Sequence, residues 1–190
     1  MNMLADGEPR YVVGLDLSLT STGIAVYDTK RGMWRFDNPK TVGHRRDTWA
    51  QQTRRVYELS ERICAAIPLH TLVVVEGPSY NSVSTSVWER AALYYQLTIW
   101  LQELEIPIAV AAPKTLKLWA TGTGMAGKKS VQNVAEQFVG RKLANNDVAD
   151  ATVLALMGMH RLGLISPPGV WRAKTVTRIE WPDGGLTVWR

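Results

Sequence analysis

Four acidic residues stand out for their settings: Asp16 breaks the apolar run 11–17, Glu76 closes the run Leu72-Val73-Val74-Val75, and Asp147 and Asp150 follow the paired Asn145-Asn146. A carboxylate inside an apolar strand costs on the order of several kcal/mol unless a cation or a hydrogen-bond donor meets it. Taken singly, each acid has an ordinary explanation: Asp16 as a turn cap, Glu76 as a strand-end residue, Asp147 as a charge favoured at a helix start. Ser18 and Thr20, however, stand ready to cap the turn after Asp16, and the spacing of Asp147 and Asp150 puts both on one face of a helix. Gathered together, such carboxylates repel one another unless cations sit among them, and hard oxygen ligands suit Mg2+ or Mn2+. Two such ions about 3.5–4 Å apart activate water and stabilise the leaving oxygen in phosphodiester hydrolysis.

The elements that must position these acids are legible from the apolar period. Val12, Val13, Leu15 and Leu17 read as a buried strand, Ile24, Ala25 and Val26 as its hairpin partner across a Ser/Thr/Gly turn, and Met33-Trp34-Arg35-Phe36 as a third strand ended by Asp37-Asn38-Pro39. From Asp47 the period becomes helical through Val56, Leu59, Ile63 and Ile67, and Pro68 stops it. Leu72 to Val75 suit a central strand buried on both faces. Segment 84–104 reads as a long helix on which Trp88, Leu93, Tyr94, Tyr95, Leu97, Trp100 and Leu101 cover more than one face, so one side is expected to meet a second subunit. A short strand over 106–110, a helix opened by Pro113, a Gly-rich loop over 121–127, and a helix carrying Val131, Val134, Ala135, Phe138 and Val139 come next. A final helix starts at Asn145-Asn146 and runs to about Leu162. Past Ser166-Pro167-Pro168-Gly169 the composition shifts, and segments 175–181 and 186–189 around Asp183-Gly184-Gly185 read as an appended β-hairpin. The expected partition is a domain over 1–165 with a C-terminal extension over 166–190.

A chain of 190 residues, 46% hydrophobic and 21% charged, suits one globular core. Its net charge of +5 favours a polyanionic partner, with nucleic acid ahead of a membrane. No apolar run approaches the roughly 20 residues of a membrane span, and the start lacks the pattern of a signal peptide, so a cytoplasmic location is expected. Cys64 is the sole cysteine and reads as core. Segment 113–142 sets Lys114, Lys117, Lys128, Lys129, Arg141 and Lys142 against Glu136 alone, which points to phosphate contact; Arg141 and Lys142 read as a solvated face.

Gly14-Leu15-Asp16, Val75-Glu76-Gly77, the stretch from Ala112-Pro113 to Lys128, and Asp147-Val148-Ala149-Asp150-Ala151 together resemble RuvC-type Holliday junction resolvases, in order and in interval, over about residues 11–162. The resemblance implies an RNase H-like α/β fold, a mixed sheet of three antiparallel strands then two parallel, flanked by helices. It also implies a homodimer and Mg2+- or Mn2+-dependent cleavage of branched DNA, the four-way junction foremost, with Asp16, Glu76, Asp147 and Asp150 holding two ions per site. The family's lysine pattern, Pro-x-x-[Val/Leu]-Lys followed by Gly-x-Gly-x-Ala-x-Lys, falls on Lys117 and Lys128, with Lys129 a neighbouring candidate. Such resolvases tend to push an aromatic into the junction's open centre, and Tyr80 in the loop Gly77-Pro78-Ser79-Tyr80-Asn81-Ser82 is the aromatic at that place, its ring either exposed or packed onto the core. Ser18-Leu19-Thr20 departs from the family's Gly-Ser-containing turn, and the segment after Gly169 has no counterpart in the pattern.

Other readings are weaker. Gly122-Thr123-Gly124-Met125-Ala126-Gly127-Lys128-Lys129 approaches a P-loop, but Lys129 stands where a hydroxyl must reach Mg2+, and the preceding segment is helical rather than a strand. The opening Gly-x-Asp motif echoes actin-like and sugar kinases, which need two such domains, whereas this chain is long enough for one at ~100–200 residues each. An RNase H-like nuclease for flap DNA or structured RNA keeps the same acids. A non-catalytic junction binder gains nothing from carboxylates facing phosphate.

Overall fold

The computed structural model describes residues 9–78 and 86–182. The first apolar run forms strand β1 (Tyr11–Asp16) and returns through the polar turn as β2 (Gly23–Asp28), antiparallel, with Asp16 opposite Gly23. Strand β3 (Met33–Asp37) pairs antiparallel with β2, Asp37 facing Ile24. Helix α1 (Trp49–Ala66) starts on a capping box in which Thr48 and Gln51 satisfy each other's backbone donors. It leads into β4 (Thr71–Glu76), which runs parallel to β1 with Val75 opposite Leu15. Helix α2 (Val87–Glu103) crosses to β5 (Ile108–Ala111), parallel to β4. The sheet order β3-β2-β1-β4-β5 is the expected RNase H-like arrangement, an antiparallel trio extended by two parallel strands. Helices α3 (Pro113–Thr121), α4 (Lys128–Val139), α5 (Asn146–Arg161) and α6 (Val170–Val176) complete the described chain.

Strand alternation divides the core into two layers. Val13, Leu15, Val73 and Val75 pack with Leu59, Ile63, Leu93 and Leu97 from α1 and α2. Val12 and Val74 face the other way, onto α5 and the residues Leu116, Trp119 and Val131 of α3 and α4. Asp16 and Glu76 continue the phase of Val12 and Val74, so both belong to the face that α5 covers. Two glycines let α5 lie directly on the sheet: a Cβ at Gly14 would stand 1.8 Å from the Ala151 carbonyl oxygen, and one at Gly23 would stand 2.0 Å from that of Asp147. The first turns of α5 are thereby held against the ends of β1 and β2.

The structure corrects the expected C-terminal hairpin in its first arm. Residues 170–176 coil into α6 and 177–179 turn, while the second arm at 186–189 lies outside the described residues. The β-branched composition of this segment suits a strand, but tertiary contact decides otherwise. Buried Arg172 donates to the carbonyls of Trp119 at 3.1 Å and Ala120 at 2.9 Å, satisfying the C-terminal end of α3, and its guanidinium lies 5.3 Å from the Trp119 ring centroid. Val176 and Ile179 join the α5-side core, so residues 170–179 brace α3 rather than hang from the domain.

Helix α2 buries the face carrying Leu93, Leu97 and Leu101, while Trp88 (76% exposed) and Tyr95 (65%) stand in solvent. Cys64 is half-buried at the edge of the α1–α2 layer. No described helix is long and apolar enough to cross a membrane.

Candidate active site

Asp16 and Glu76 are the last residues of adjacent parallel strands whose register sets Leu15 beside Val75, so the two carboxylates leave the sheet side by side. Their carboxyls are within hydrogen-bonding reach of each other. On the face they share, α5 begins at the N-cap Asn145, whose side chain accepts from the Val148 N–H at 2.9 Å, and the first turns carry Asp147 and Asp150. All four expected acids thus converge at the C-terminal edge of β1 and β4.

Electrostatics register the crowding. Burial, then the charge of Glu76, pushes the Asp16 pKa up to about 8, with Asp147 adding to the rise. Burial, then the charge of Asp16, pushes Asp150 up to about 7. Glu76 is raised as well, chiefly by burial. Two cations pull the other way: Lys128, the first residue of α4, favours the ionised forms of Asp16, Glu76 and Asp150, and Lys117 on α3 favours those of Glu76 and Asp150. Lys117 is half-buried and Lys128 exposed, and Lys114 and Lys129 stand exposed on the same two helices. Tyr80 lies outside the described residues.

Among the described residues no three His, Cys, Asp or Glu side chains close around one metal-sized point, so the acids form an open cluster rather than a cage. The cluster's chemistry fits a hard divalent cation: its donors are all carboxylate oxygens, and its buried charge is only partly offset by Lys117 and Lys128.

Sequence reasoning missed a polar brace behind Asp147. Ser21, in the turn between β1 and β2, donates through Oγ to Asp147 Oδ2 at 2.5 Å. Asn38, just past β3, donates through Nδ2 to Ser21 Oγ at 3.1 Å and to the Thr22 carbonyl at 2.7 Å, and accepts from Asn145 Nδ2 at 2.8 Å. The opening turn, the end of β3 and the start of α5 are thereby tied together around one carboxylate. Asn38 reads in sequence only as a strand terminator, and 107 residues separate it from Asn145, so no local signal marks the pair.

No protein-family model matches the chain. A curated protein, crossover junction endodeoxyribonuclease RuvC of Chromohalobacter salexigens, is 25% identical over 185 residues, covering 95% of this chain and 98% of that protein. Among solved structures, Thermus thermophilus RuvC superposes with a TM-score of 0.62 at 21% identity, covering 83% of this chain and 99% of that one. T. thermophilus RuvC in complex with a Holliday junction substrate superposes with a TM-score of 0.63 at 19% identity and the same coverage. The resemblance read from the motifs is therefore borne out, in sequence over nearly the whole chain and in fold.

Proposed function

We infer that this chain is a metal-dependent, structure-selective endodeoxyribonuclease that resolves Holliday junctions or closely related branched DNA. The observation that carries the reading is the meeting of Asp16, Glu76, Asp147 and Asp150 at one edge of an RNase H-like sheet, with Lys117 and Lys128 beside them. The likeness to RuvC proteins, one of them solved with a Holliday junction, supplies the substrate class.

Asp16, Glu76, Asp147 and Asp150 would hold two Mg2+ or Mn2+ ions. When bound, such ions supply an activated water and charge for the departing oxygen. Asp16 and Glu76 fix one side of the cluster from rigid strand ends, and the first turns of α5 present the other. Ser21 and Asn38 hold Asp147 against rotation, which keeps the donor set preorganised. Lys128 offers positive charge to the phosphate as negative charge builds on its oxygens, and Lys117 does the same from α3. The exposed apolar face of α2 supports a homodimer, in which two such sites would cut opposing strands. Tyr80 is proposed to stack on an unpaired base at the branch point.

Purified protein with Mg2+ or Mn2+ is offered a four-way DNA junction, a flap, plain duplex and a stem-loop RNA, and the products are mapped. Paired nicks on the junction, lost in Asp16→Asn while DNA binding stays equal or tightens, are expected. Cleavage confined to flap or RNA would reassign the substrate, and metal-dependent cutting retained by Asp16→Asn would remove the site.

A further inference from the structure

The strands β3, β1, β4 and β5 all point the same way, because β3 is antiparallel to β2 and β2 is antiparallel to β1. Their C-terminal ends therefore line one edge of the sheet. Asp16 and Glu76 stand at its middle, on β1 and β4, and the lysine-bearing segment follows β5 at one end. At the other end, after β3, runs the loop Lys40-Thr41-Val42-Gly43-His44-Arg45-Arg46, in which Lys40, His44, Arg45 and Arg46 are all exposed.

This loop is fastened to the catalytic turn. Lys40 forms an isolated bridge with Ser21, the Thr41 N–H donates to the Thr20 carbonyl at 3.3 Å, and the Thr41 hydroxyl donates to the Leu19 carbonyl. Its far side is held as well: Arg62 donates to the Lys40 carbonyl at 3.0 Å, and Asp47 accepts from the His44 N–H at 2.7 Å just before the α1 cap. The neighbouring cations of α1 are neutralised, Arg54 by Glu58 at 3.1 Å and Arg55 by Glu89. Among the described residues Lys40, Arg45 and Arg46 have no acidic partner. A solvated face accounts for a charge run, but it does not require a loop tied through Lys40 and Thr41 to the turn that follows Asp16 and through His44 to the start of α1.

We propose that loop 40–46 is a second phosphate-binding surface, gripping the nucleic-acid backbone on the side of the scissile phosphate opposite the lysine segment. Strands lie about 4.8 Å apart, so β3 and β5 each stand roughly 10 Å from β1, and the row spans ~20 Å. At about 3.4 Å of axis per phosphate on one strand, that is a length of about six nucleotides, held at both ends with the acids between. Arg45 and Arg46 supply the charge, and the hydrogen bonds from Thr41 keep it in register with the turn. The proposal rests on the nuclease reading above for its ligand class.

The test compares the wild-type chain with Arg45→Ala/Arg46→Ala and with Arg45→Lys/Arg46→Lys. Binding to a four-way DNA junction and to plain duplex is measured without divalent metal from low to moderate salt, and junction cleavage is measured with Mg2+. The alanine pair should flatten the salt dependence by about 1–2 in the slope of log K against log salt, at ~0.9 per contact. It should raise KM while leaving kcat and the melting temperature unchanged, and the lysine pair should restore the slope. An unchanged slope in the alanine pair would show a merely solvated loop. If the wild type cut no branched DNA yet the alanine pair still flattened binding to duplex, the nuclease reading would fall and the phosphate surface would stand. Normal wild-type cleavage with an unaffected slope would do the reverse.

Discussion

Ser21 Oγ donates to Asp147 Oδ2 at 2.5 Å across 126 residues of sequence, joining the turn after β1 to the first turn of α5. The bond matters because Asp147 stands at a helix start, where its side chain would otherwise choose among several rotamers in partly open space. Asn38 backs the serine and the α5 cap at once, so three elements agree on the direction of one carboxylate.

Ser21→Ala should therefore lower junction cleavage and raise the Mn2+ concentration needed for half-maximal activity, each by about 10- to 100-fold, the range for groups that orient metal ligands. Metal binding measured calorimetrically, without DNA, should weaken in parallel, while the melting temperature of the metal-free protein moves little. Ser21→Thr keeps the hydroxyl and should recover most of the loss. A serine that only filled space would leave metal affinity unchanged.

The raised carboxylates make stability depend on pH in a direction opposite to that of most proteins. Asp16, from an ordinary value of 3.8 to about 8, and Asp150, to about 7, hold their protons more tightly folded than unfolded. Their favourable contribution is complete below about pH 4 and is lost as pH rises through the folded values. Metal-free protein should thus show a melting temperature that declines between about pH 5 and 8, and Mg2+ or Mn2+ should remove the decline by compensating the ionised cluster. Asp16→Asn without metal should flatten it in part. A melting temperature that rose over that interval with metal chelated would contradict the crowding of these acids.

Much of this site was legible in the sequence because each acid interrupts a pattern that itself dictates an element: Asp16 and Glu76 close apolar strands, and Asp147 and Asp150 share a helical face after an N-cap asparagine. The period-2 phase even fixes which side of the sheet Asp16 and Glu76 occupy. The brace through Ser21 and Asn38 was not legible, since it depends on where a turn, a strand end and a helix cap meet in space. The C-terminal segment misled for a related reason. Thr175, Val176 and Ile179 carry strand-type side chains, but Arg172 finds the open carbonyls of α3, and that contact, invisible locally, selects the helix.

The exposed Trp88 and Tyr95 on α2 are expected to be buried between two copies of the chain. Trp88→Glu with Tyr95→Glu should convert a dimer to a monomer in sedimentation at micromolar concentration, because burying two carboxylates in an apolar interface costs more than the contact returns. The variant should still make single nicks and lose the paired nicks that resolve a junction. A wild-type chain that sediments as a monomer and still makes paired nicks would overturn the dimer.

Lys128 combines exposure with influence on three of the four acids, favouring the ionised forms of Asp16, Glu76 and Asp150 from the first turn of α4. A cation in that position acts on the cluster through its charge and would act on any phosphate the cluster receives, so its two roles can be separated by kinetics. If it stabilises charge as the phosphodiester opens, Lys128→Ala lowers kcat by about 10- to 100-fold, below the 10²–10³ of an oxyanion-hole donor because the lysine is solvated. Binding then weakens only modestly. The same substitution removes a charge that lowers the proton affinity of the acids, so the acid limb of the pH–rate profile should move to higher pH. Lys128→Arg keeps the charge and should restore the limb's position more fully than the rate, since the guanidinium presents its donors in a different geometry. A loss confined to binding, with a salt slope smaller by about 0.9 and an unmoved pH profile, would make Lys128 a backbone contact and nothing more.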